Sequence, residues 1–152
     1  MEIRPVQLAD AAAVNELLAV LGYPQGEPGD TARRIKAWSD DPSGAVYIAD
    51  EAGVVAGVIA VQICPFFERE GCWARITALV VSERTRRRGV ASQLMAAGES
   101  FAREQGCVRM EVTSRQERTD AHEFYRRYGY QDQAGKSSRF LRDLSLGERR
   151  GG

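Results

Sequence analysis

Residues 79–95 constrain this chain more than any other stretch: Leu-Val-Val-Ser-Glu-Arg-Thr-Arg-Arg-Arg-Gly-Val-Ala-Ser-Gln-Leu-Met. The apolar run 76–81, with Thr77 inside it, reads as a buried strand. A basic loop follows, carrying Arg84, Arg86, Arg87 and Arg88. Gly89 and Ala91 come next, and a helical pattern sets Val90, Leu94 and Met95 on one side. A strand, a basic loop containing glycine and a helix start together make an anion site. The first amides of a helix have no partner within it and carry partial positive charge, which suits a phosphate. Gly89 and Ala91 add almost no side chain, so a diphosphate can approach the backbone. A solvated basic turn before an ordinary helix is the competing reading of the same residues.

Two common phosphate loops are excluded: the chain contains neither G-x-x-x-x-G-K-[ST] nor G-x-G-x-x-G. The length of 152 residues fits one domain, and the 43% hydrophobic content is ordinary for a globular protein. Basic and acidic residues balance at 21 each, so no whole-molecule field points to nucleic acid or to a membrane surface. No apolar run reaches the roughly 20 residues of a membrane span, and the first residues lack the apolar core of a signal peptide. Cys64, Cys72 and Cys107 include no C-x-x-C and are expected as buried free thiols of a cytoplasmic protein. One histidine and scattered cysteines offer no metal-ligand spacing, so no metal is expected.

Along the chain, residues 3–6 read as an edge strand because of Pro5. Asp10 is placed to cap a helix with Val14, Leu17, Leu18 and Leu21 on its apolar side, stopped by Gly22. A loop over 23–30 precedes a helix over about 31–38. A hairpin, 45–49 and 54–64, and a strand over 72–81 follow, with Gly57 as a candidate bulge. Next come a helix over 90–104, a strand over 108–113 and a helix over 121–128 ended by Gly129. Further strands are expected from Tyr130 and over 138–144. The order implies an α/β fold with a mixed, mostly antiparallel sheet in a single domain, residues 1–146, followed by a frayed tail over 147–152.

The segment Arg86-x-x-Gly89-x-Ala91 resembles the [QR]-x-x-G-x-[GA] signature of the GNAT family of N-acetyltransferases. Residues 121–130, Ala-His-Glu-Phe-Tyr-Arg-Arg-Tyr-Gly-Tyr, resemble that family's A-x-x-[FL]-Y-x-x-x-G-[FY] segment, at the usual order and distance. On these two motifs and the element order, the chain is identified as a member of the family. The stretch Arg118-x-Asp120-Ala121-His122-x-Phe124-Tyr125 is also similar to a subgroup that includes aminoalkylphosphonate N-acetyltransferases.

The resemblance implies about four helices flanking a twisted sheet with splayed central strands, and acetyl-CoA as co-substrate. Leu79, Val80 and Val81 would receive the pantetheine arm as an added strand. The segment Arg86, Arg87, Arg88, Gly89, Val90, Ala91 and Ser92 would hold the diphosphate, with Ser114 as a further cofactor contact. A backbone amide near Leu79 or Val80 would stabilise the charge on the thioester oxygen. Tyr125 matches the family's general acid for the departing thiolate. The family's strand glutamate is missing, since 75–78 reads Arg-Ile-Thr-Ala. Glu111 is the nearest alternative base; pairing with an arginine is its bland reading, and deprotonation through water and backbone carbonyls is the other route. Tyr23, Phe66, Phe67 and Thr77 are candidate acceptor contacts, the aromatic ones equally open to packing roles. The implied reaction is acetyl transfer to the primary amine of a small molecule. A non-catalytic acyl-CoA-binding module and a protein or peptide acetyltransferase are the alternatives. Family members often dimerise, so the resemblance admits a homodimer.

Overall fold

The computed structural model describes residues 1–86, 88–114 and 118–145. The chain divides into two compact units, Met1–Thr113 and Ser114–Gly152.

The first unit is built on one five-stranded sheet. Its strands are β1 (Glu2–Pro5), β2 (Gly44–Glu51), β3 (Val54–Pro65), β4 (Cys72–Val81) and β5 (Cys107–Val112), lying side by side in chain order. The first four pair antiparallel, and β4 pairs parallel with β5. Its α-helices among the described residues are α1 (Ala11–Leu21), α2 (Pro28–Asp40) and α3 (Val90–Glu104), the last being the crossover between the parallel strands. β1 is an edge strand, as Pro5 requires. The second helix is longer than expected because Pro28 opens its first turn, where its missing N–H costs nothing. The preceding loop therefore shrinks to residues 22–27.

Ile48, Val58 and Val80 form a directly paired row across β2, β3 and β4. They share one buried cluster with Val6, Ala11, Val14 and Leu17 and with Ile35 of α2. On the other face, Ile59 and Val61 lie against Gly98 of α3, whose Leu94 and Met95 are fully buried. Each such side chain contributes roughly 1.5–3 kcal/mol. A Cβ on Gly57 would stand 2.9 Å from Leu94 Cδ1, 3.0 Å from the Val80 carbonyl and 3.2 Å from Val90 Cγ1. Gly57 is thus a close-approach residue that lets the start of α3 lie on β3. The expected bulge is one residue away: the β2–β3 register shifts so that Ala56 is skipped.

Asp10 stands just before α1, but its carboxylate does not cap that helix. It turns back to accept from the Gln7 amide (2.7 Å) and takes both guanidinium arms of Arg4 (2.8 and 2.9 Å). Arg4 also donates to Asp50 on β2 (3.1 Å), tying β1, β2 and the turn before α1 together. The Arg4 hydrogen bonds hold the Asp10 carboxyl below its usual range despite its burial.

The second unit contains α4 (Thr119–Arg127), which begins before Asp120 and is capped at its end by Gly129 in the left-handed conformation (φ 103°). The Gly129 amide donates to the Arg126 carbonyl (3.1 Å) and the Tyr130 amide to the Tyr125 carbonyl (2.9 Å), a Schellman motif. That geometry explains why the strand expected from Tyr130 does not form: its backbone is used to close the helix. Asp132 then accepts from Arg126 and from the Ala134 amide, which makes a turn. The strand expected over 138–144 is absent too. Phe140, Leu141 and Leu144 do not alternate, so no single strand face gathers them, and all three are exposed. The tail expected over 147–152, and the domain end at 146, lie outside the described residues.

Candidate active site

The ladder between β4 and β5 stops early. β4 stays paired with β3 up to Val81, opposite Gly57, whereas its last partner on β5 is Val112, opposite Ile76. Among the described residues, 77–81 therefore present one edge without a neighbouring strand, directly before the loop to α3. The pairing stops where the family resemblance places a splay. The cause is local. Ala60 faces Ala78 and Val61 faces Ile76, so Thr77 is an extra residue on β4 with no opposite number on β3. A bulge bends its strand and increases its twist. It also inverts which side chains face α3: Ile76 pairs with Val61 below it and Leu79 with Ile59 above it, three residues apart rather than two. The Thr77 hydroxyl donates to the Ala60 carbonyl (3.4 Å).

The loop after β4 is anchored to β3. The Ser82 amide (2.8 Å) and the Thr85 hydroxyl (3.4 Å) both donate to the carbonyl of Ala56, the residue that bulges from β3. The Ser82 hydroxyl accepts from the Arg84 amide (3.4 Å). Gly89 precedes α3 with φ 78°, and the first helical hydrogen bond runs from the Gln93 amide to the Gly89 carbonyl (3.1 Å). The amides of Val90 and Ala91 come before that bond, at the positive end of a helix of 15 residues. A Cβ on Gly89 would meet nothing within 4 Å, so it is the left-handed backbone that calls for glycine here. Arg86 and Arg88 flank this start, and Arg88 makes an exposed ion pair with Glu51 (3.4 Å). Arg87 lies outside the described residues. The arrangement offers backbone hydrogen bonds to an extended chain and, at its end, a helix N-terminus for an anion.

Glu111 and Arg75 are directly paired across β4 and β5, and the Arg75 guanidinium donates to the Glu111 carboxylate at 2.8 Å. Arg75 is exposed and Glu111 half-buried, and Arg75 also lies over the Trp73 ring (5.5 Å). The residue considered as a base is thus held by an arginine, one position before the strands part. Phe66, in the turn between β3 and β4, lies between Arg69 (4.1 Å) and Arg109 (5.7 Å), a cation–π arrangement. Phe67 is fully exposed. Tyr23 is half-exposed, and its amide closes the end of α1 on the Leu18 carbonyl (2.9 Å).

In the second unit, Tyr125 packs edge-on against Phe124 (5.5 Å) and near Tyr130 (6.2 Å). Burial pushes the Tyr125 phenol above its usual range, partly offset by the charge of Arg118. Its proton is therefore retained at neutral pH. Ser114, half-buried, opens this unit. Among the described residues, no group of three or more His, Cys, Asp or Glu could hold a metal ion. No helix among them is long and apolar enough to cross a membrane.

Comparison with known proteins gives this geometry a family. The sequence profile of the Acetyltransferase (GNAT) family matches residues 12–130. The chain belongs to that family. Over 90 residues it is 33% identical to an aminoalkylphosphonate N-acetyltransferase of Salmonella typhimurium, covering 59% of this chain and 58% of that protein's length. The fold also matches a crystal structure of a transcriptional regulator from Bacillus halodurans (25% identity, TM-score 0.81, 93% of this chain and 97% of that one). A putative acetyltransferase from Agrobacterium tumefaciens is similar in fold (20% identity, TM-score 0.83, 94% and 100%).

Proposed function

We propose that the protein is an acetyl-CoA-dependent N-acetyltransferase that transfers an acetyl group to the primary amine of a small molecule by direct attack on the thioester. The observation that carries this reading is the meeting of the unpaired edge of β4, residues 77–81, with the N-terminus of α3 at Gly89. Leu79, Val80 and Val81 take the pantetheine arm as a strand would. The diphosphate rests on amides of the segment 86–92, with Arg86, Arg88 and the undescribed Arg87 adding charge. Thr77 and the acceptor lie at the bulge, where displaced amides near Leu79 and Val80 are available to an oxyanion.

Tyr125 is the general acid of this reading, on its place in the helix motif and its retained proton. The ion pair of Glu111 with Arg75 favours deprotonation of the amine through water and backbone carbonyls over a direct role for Glu111. The functional domain spans residues 1–146 in this reading. Tyr23, Phe66 and Phe67 are the proposed acceptor contacts, and Ser114 is a proposed cofactor contact. The identity to an aminoalkylphosphonate N-acetyltransferase makes aminophosphonates the first amines to try.

A second reading, a non-catalytic acyl-CoA-binding module, draws on the missing carboxylate over 75–78. Thiol release from acetyl-CoA, followed against small amines, aminoalkylphosphonates and peptides, separates the readings. Amine-dependent release with acetylated small-molecule product supports transfer. Tight acetyl-CoA binding with no release supports the module, and release with peptides alone supports a protein acceptor.

A further inference from the structure

At the end of β4 and β5 remote from the splay, two cysteines face each other. Cys72 and Cys107 are directly paired in the parallel ladder, and their sulfurs are 3.3 Å apart. The sequence suggested buried thiols, but all three cysteines are only half-buried, so small reagents in solvent can reach them. Directly opposite residues put their side chains on the same sheet face, with strands roughly 4.8 Å apart. A disulfide accepts Cα separations of about 4.4–6.8 Å, so the paired backbone already satisfies it. The sulfurs have only to close to about 2.05 Å, a change that side-chain rotation supplies. The Cys72 thiol also lies 3.5 Å from the Gln105 carbonyl at the end of α3, its hydrogen-bond acceptor.

We propose that Cys72 and Cys107 form a redox modification site, a dithiol that low-molecular-weight disulfides convert to an intramolecular disulfide joining the bases of β4 and β5. The Cys72 thiolate attacks one sulfur of the small disulfide, RSSR. The S–S bond of RSSR breaks, RS⁻ leaves and is protonated, and a Cys72–SR mixed disulfide forms. Cys107 then releases its proton to solvent and attacks the Cys72 sulfur, expelling the second RS⁻. The protein dithiol has lost two electrons and RSSR has become two RSH.

The order of attack follows from the surroundings. Burial, and then the contact with Cys72, push the Cys107 thiol up to about 12, so it keeps its proton at the start. Once Cys72 carries the adduct, its share of that effect is gone and Cys107 is the adjacent resolving thiol. Cys64 lies on β3, opposite Trp73 rather than opposite either partner; its charge adds to the raising of the Cys107 thiol, but the bridge joins the two directly paired residues.

The test uses the full chain in glutathione buffers of increasing oxidised fraction, read by thiol titration and peptide mass mapping. The expected result is a fall from three reactive thiols to one, with a single cross-linked peptide pair joining Cys72 to Cys107. The bridge closes a connection of 35 residues, so the oxidised form should melt roughly 10 °C higher. Cys64→Ser should oxidise as wild type does, whereas Cys107→Ser should accumulate a glutathione adduct at Cys72. Three titratable thiols at every buffer ratio, or a bridge that includes Cys64, would overturn the proposal. So would a Cys107→Ser variant that carries its adduct elsewhere.

Discussion

Gly57→Ala tests whether the packing that seats α3 is tied to the site. The added methyl would stand 2.9 Å from Leu94 Cδ1 and 3.0 Å from the Val80 carbonyl, where ordinary contact begins at 3.4 Å. The shortfall is about 0.5 Å at most, yet neither neighbour yields easily. Leu94 is fully buried, and the Val80 carbonyl belongs to backbone paired with Val58. Overpacking of this kind costs about 1–3 kcal/mol. Replacing glycine with alanine also restricts the unfolded chain, which offsets about 0.4–1 kcal/mol. The net expectation is a loss of about 1–2 kcal/mol, or a melting temperature lower by roughly 3–8 °C for a chain of this size. Val80 and Val90 flank the proposed cofactor path, so acetyl-CoA affinity should weaken severalfold in the same variant. Urea denaturation and calorimetry read the two effects. A variant as stable as wild type, or one that loses stability with no change in affinity, would refute the link.

The remaining expectations concern single groups. Gly89→Glu puts bulk and negative charge on a left-handed residue at the start of α3, so acetyl-CoA binding should fall strongly in calorimetry, whereas Arg86→Ala should cost less because backbone amides supply much of the site. Tyr125→Phe should lower kcat by roughly ten- to a hundredfold with acetyl-CoA affinity within a few fold, since general-acid help is about 10²–10⁴-fold and a thiolate is a fair leaving group; near-normal kcat would end the general-acid role. In wild type, the raised Tyr125 phenol should keep kcat intact up to the ordinary tyrosine range near 10 and lose it only at higher pH. Asp10→Asn should destabilise by about 2–4 kcal/mol, because it leaves Arg4 without its bidentate partner. Asp10 titrates below its ordinary 3.8 in the folded chain, so its contribution is present above that pH and is lost as the pH falls through the lowered value, which acid unfolding of the two proteins would show.

Much of this fold was legible because its signals are local. β4 and α3 begin and end where the apolar run, the glycine and the helical pattern place them. Gly22 and Gly129 stop their helices as expected, each with a positive φ. The features that shape the site depend instead on register between distant residues. Nothing in the composition of residues 76–78 announces that Thr77 has no partner on β3, because a bulge is a property of two strands together. The role of Gly57 was equally hidden, since the atoms that crowd it come from α3 and β4. Arg4, Asp10 and Asp50 carry no motif, and their joining follows from the antiparallel pairing of β1 with β2. The strand expected over 138–144 does not form for a physical reason: the apolar residues Phe140, Leu141 and Leu144 do not keep a period of two.

Backbone amide chemical shifts, followed while acetyl-CoA is added, test the central claim most directly. The account predicts saturable changes concentrated at Leu79, Val80 and Val81 and at Gly89, Val90 and Ala91, the open edge of β4 and the start of α3. Binding that leaves both segments unchanged and perturbs another part of the sheet, or no binding at all, would contradict it.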